Sequence, residues 1–60
     1  MTVYLLIEIA DGYETVDSVH ASRASAEARQ ADLLATVVSL GMDDVSFRID
    51  AEKVQGGPRF

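Results

Sequence analysis

"IEIADGYETVDSVH", residues 7 to 20, holds four acidic residues, two hydroxyls, a tyrosine and the chain's single histidine. Composition alone leaves it open between a metal or catalytic site and two strands joined by a turn. Glu8, Asp11, Glu14 and Asp17 recur every third residue, a spacing that would gather them on one helical face. The Asp11-Gly12 step argues against that helix. Asp-Gly between apolar runs is the strongest short hairpin signal, because a type I′ turn needs positive φ at both central residues. A three-residue loop with a bulge fits the same residues. The stretch is read as a hairpin.

The flanks agree. "TVYLLIEIA" (2–10) is rich in β-branched and aromatic residues, with Val3, Leu5, Ile7 and Ile9 on one side and Tyr4, Leu6, Glu8 and Ala10 on the other. A strand apolar on both sides belongs in the middle of its sheet. "YETVDSVHA" (13–21) is a more polar strand, and its Asp17 and Ser18 suit a solvated edge. Ser22 is placed to cap a helix from about Arg23 to Leu40. Along it Ala26, Gln30, Leu33, Val37 and Leu40 form one row, and Ala31, Leu34 and Val38 the next. Gly41 is the expected left-handed stop, with Met42 set to pack back on the last turn. "VSFRID" (45–50) alternates cleanly, with Val45, Phe47 and Ile49 inward. "AEKVQGGPRF" loses that period.

The order β-β-α-β then fixes a topology. The hairpin makes the second strand antiparallel to the first, and a right-handed helical crossover returns the third parallel to the second. The third strand takes the free side of the first. The expected fold is α+β: a ββαβ domain with a three-stranded antiparallel sheet, order 2-1-3, and one helix on one face. The single domain spans 1–54, and 55–60 is a flexible tail whose terminal Arg59 and Phe60 form an arm able to dock on a partner. The helix is expected to cover Val3, Leu5, Ile7 and Ile9. The reverse face then carries Tyr4 and Leu6, joined, according to hairpin register, by Tyr13 or Val19. Those four are the predicted partner-binding residues.

Sixty residues bury only about 60% of the unfolded surface, so a core of this size needs a supplement. Disulfides and thiolate metal sites are excluded by the lack of cysteine, and one histidine is little from which to build a zinc site. Oligomerisation or a partner remains, and an apolar patch on a small sheet fits a homodimer joined face to face or at an edge strand. The net charge of −5 excludes a basic nucleic-acid footprint and disfavours anionic membrane surfaces. The apolar N-terminal run follows no positive residue and is interrupted by Glu8, so neither a signal peptide nor a membrane span is expected, and the predicted location is the cytoplasm.

No catalytic, cofactor or metal site is predicted. An EF-hand loop needs acidic or amide ligands at its first, third and fifth positions, and only the Asp-Gly step matches. Ser18 and His20 share a strand face while Asp17 points away, so nucleophile, base and orienter are not expected to converge. The alternative use of these acidic residues is a surface in which Asp11, Glu14 and Asp17 join Asp43 and Asp44 to mimic nucleic-acid phosphate and occupy the basic groove of another protein.

"VYLLIEIADGYETVDSVHASRASAEARQADL" followed by "FRIDAEKV" resembles a family of small ββαβ proteins of bacteria and their phages, a domain of unknown function. The likeness runs from Val3 to about Val54 and rests on the opening strand, the Asp-Gly-Tyr-Glu turn, the serine-rich helix start with early alanines, and the closing strand. These motifs are structural, and no activity comes with them. The resemblance implies a compact accessory protein, with a phage-type inhibitor (anti-CRISPR-like, or otherwise blocking a nucleic-acid-binding host protein) as the alternative to a homodimeric interaction module.

Overall fold

The computed structural model describes residues 1–54, and the tail predicted for 55–60 lies outside them. Strands β1 (Thr2–Ala10) and β2 (Tyr13–His20), helix α1 (Arg23–Leu40) and strand β3 (Val45–Lys53) follow in that order. The sheet is antiparallel with order β2-β1-β3, as read from the sequence. Asp11 and Gly12 form the hairpin turn with φ of +54° and +80°, the two positive values that a type I′ turn demands. Glycine accepts this at no steric cost, and aspartate is among the few side chains that tolerate it.

The Ser22 side chain caps α1 by accepting from the Ser25 backbone N–H at 3.2 Å. At the other end Gly41 adopts φ +70°, its N–H donates to the Val38 carbonyl, and the Met42 N–H donates to Val37. These two bonds close the helix in a Schellman motif. β3 runs on to Lys53, three residues beyond the alternating segment, because β1 is long enough to pair Val3 with Glu52 and Thr2 with Lys53. Val54 then donates to the Met1 carbonyl at 2.8 Å.

The face covered by α1 is the opposite of the expected one. Register aligns Leu6 with Ile49 and Ser18, Glu8 with Phe47 and Thr15, and Ala10 with Val45 and Tyr13, so all these residues share one side. That side carries the helix: Leu6 and Ala26 are both fully buried, His20 bonds Ser25 on α1, and Arg23 lies 5.5 Å from the centroid of the Tyr4 ring. The cause is β3. Its alternation is unambiguous, and pairing hands its inward set to the even-numbered residues of β1. The small Ala26, in the second turn of α1, lets the helix meet the sheet closely over Leu6.

Candidate functional site

The uncovered side of the sheet is built from Val3, Leu5, Ile7 and Ile9 of β1, Glu14, Val16 and Val19 of β2, and Ser46, Arg48, Asp50 and Glu52 of β3. Tyr4, Leu6 and Tyr13, expected on this side, are on the other. Leu6 is the fully buried centre of the core, Tyr4 is half-buried beneath Arg23, and Tyr13 pairs with Ala10 at the exposed end of the helix side. Val19 does lie on the open side, opposite Leu5.

A β-bulge accounts for the presence of Val16 beside Val19. Leu6 pairs with Ser18 but Ile7 pairs with Val16, which leaves Asp17 as the extra residue. Residues three apart on a regular strand point to opposite sides, and one extra residue restores both to the same side. Val16 and Val19 are 51% and 58% exposed there. Ser18 and His20 share a face as read, and Asp17, expected to point away, also meets Ser18 at the bulge. Ser18 Oγ donates to Asp17 Oδ2 at 2.9 Å and is hydrogen-bonded to His20 Nε2 at 2.7 Å, while His20 Nδ1 meets Ser25 Oγ at 2.8 Å. Arg29 of α1 donates to the same Asp17 oxygen at 3.2 Å. His20 is thus half-buried and tied at both nitrogens. The carboxylate holds the serine hydroxyl and the histidine contacts two serines, so the acid does not orient the base as it does in a nucleophilic triad. The connected groups stitch β2 to the first turns of α1.

Charge on the open side is organised by Arg48. Its two terminal nitrogens grip Glu14 at 2.9 and 3.1 Å, and its Nε donates to Asp50 at 2.9 Å. Since Arg48 sits on β3 and Glu14 on β2, this pair spans the central strand beside Ile7 and Ile9. The arginine stem helps explain why Ile7 is only 6% exposed on a side with no helix. Hydrogen bonding to Arg48, then its charge, holds the Glu14 carboxyl below the usual range. The same bonds raise Arg48 further above its already high value. Asp17 is lowered first by the Ser18 hydroxyl and then by Arg29.

Of the five residues proposed as an acidic surface, Glu14 and Asp17 are therefore engaged by arginines. Register brings the other three to one end: Asp11 follows Ala10, which pairs with Val45, directly after Asp43 and Asp44. The last turn of α1, which has no basic residue, ends three residues before Asp43 in the chain. Among the described residues no three His, Cys, Asp or Glu side chains stand close enough to hold a metal ion, no cavity is found, and no helix is long and apolar enough to cross a membrane. Comparison with protein-family models, curated proteins and solved structures returns no match.

Proposed function

We propose that this chain is a protein–protein interaction module that performs no chemistry of its own and works as a homodimer. One observation carries the reading: a single helix on one side of a three-stranded sheet encloses a very small apolar core. Only Leu6, Ile7 and Ala26 are enclosed apolar residues among those described. A core so small is marginal alone, and a partner is the remaining way to supplement it.

Mass in solution by light scattering tests this over a dilution series. A dimer whose thermal midpoint rises with protein concentration supports it. A well-folded monomer at every concentration refutes it.

A second reading has its own support, the end of the sheet where register gathers Asp11, Asp43 and Asp44, shortly after a helix whose last turn has no basic residue. In that reading the acidic end occupies the nucleic-acid groove of another protein. Partner binding that weakens steeply with salt distinguishes it, since an apolar interface is nearly indifferent to screening.

A further inference from the structure

We propose that the second copy joins at the outer edge of β3, antiparallel and centred on Ile49, to make a continuous six-stranded sheet; this deepens the homodimer reading and rests on it. The sheet offers two edges, β2 and β3. β2 is interrupted by the bulge at Asp17, and a bulged edge is a poor template because its backbone groups fall out of register. β3 pairs residue for residue with β1 over its nine residues with no shift. On its outer side it therefore presents a long, regular row of backbone groups, and no other strand among the described residues pairs there.

The sequence of β3 is self-complementary about Ile49. Antiparallel pairing about that residue sets Arg48 opposite the partner's Asp50 and Asp50 opposite the partner's Arg48 on the open side. Ser46 meets the partner's Glu52. On the helix side Ile49 meets the partner's Ile49, and Phe47 meets the partner's Ala51. Opposite charges directly across a ladder stabilise it, and like charges oppose it. The adjacent registers fail on that count. Centring on Arg48 sets two arginines against each other, and centring on Asp50 sets two aspartates together. A shift that mixes odd with even residues would place helix-side groups on the open side.

Ion pairing also separates this mode from stacking of the two open faces. Arg48, Glu14 and Asp50 remain 43%, 54% and 40% exposed. Face-to-face packing would bury that network, and desolvating charges costs more than their attraction returns unless the geometry is excellent. Edge pairing leaves the network in water.

The lack of cysteine allows a clean test. Ser46→Cys and Glu52→Cys chains are prepared separately, then oxidised alone and as a mixture. Directly paired residues have Cα atoms about 4.5–5.5 Å apart, within the span of a disulfide. The expected result is a disulfide-linked pair from the mixture and little from either chain alone. Asp50→Arg should raise the dissociation constant at least about tenfold, with an unchanged circular-dichroism spectrum certifying the fold. A parent dimer that gives no mixed disulfide and tolerates Asp50→Arg overturns the edge assignment. If Val16→Ser/Val19→Ser then breaks that dimer, the interface is the open face and the module reading stands. A monomeric parent overturns both.

Discussion

Leu6 and Leu5 are neighbours with opposite fates, and the contrast gives the sharpest stability test. Leu6 is fully enclosed between the sheet and Ala26, whereas Leu5 is only half-buried on the open side. Leu6→Ala should cost about 2–5 kcal/mol, comparable with the whole stability of a domain this small. Leu5→Ala should cost clearly less. Urea denaturation of both variants measures the difference, and equal losses would contradict the assignment of faces. Acid provides a second test. Glu14 and Asp17 titrate below their usual values of 4.5 and 3.8. A carboxyl lowered in the fold stabilises it at every pH above the unfolded value and loses that contribution as pH falls through the folded one. The thermal midpoint should therefore decline on acidification below the 4.5 and 3.8 of the unfolded groups. Arg48→Met should shrink the Glu14 part of that decline, and an acid limb identical to the parent's would show that the pair contributes nothing.

Turns and caps fix where each element begins and ends, and local chemistry accounts for them. Gly12 and Gly41 both have positive φ, with open space where a Cβ would sit. Alanine at either position should cost about 1 kcal/mol through backbone strain alone. Ser22→Ala should cost about 0.5–2 kcal/mol by releasing the Ser25 N–H. Thermal melts of the three variants, each still folded, check these values. The Asp-Gly pair, the capping serine and the stop glycine are each short-range signals, which is why element order, helix bounds and sheet order were legible in the sequence. The side of β1 that meets the helix was not. Both of its sides are apolar, so its alternation carried no information, and the answer lay in the pairing of Leu6 and Glu8 with Ile49 and Phe47. The bulge was hidden for a related reason: Thr15 to Val19 has no period of two. The spacing of Val16 and Val19 was the available clue, since two valines three apart share a side only across an extra residue. Without the bulge, the contacts of Asp17 with Ser18 and Arg29 could not be read either.

The described residues form one layer of helix on one layer of sheet, and among them nothing covers the second side of the sheet. Among the described residues the core amounts to Leu6, Ile7 and Ala26, so folding and association should be coupled. Dilution should lower the thermal midpoint, and a midpoint independent of concentration would separate the two. The bulge at Asp17 has a consequence for how large an assembly can grow. A pair joined through both copies of β3 has only the two β2 strands left at its margins, and each carries that interruption. Growth by strand addition then halts at two chains, a finite particle instead of a fibre. Removing the one extra residue, by deleting Asp17, should turn a closed pair into an open-ended ribbon.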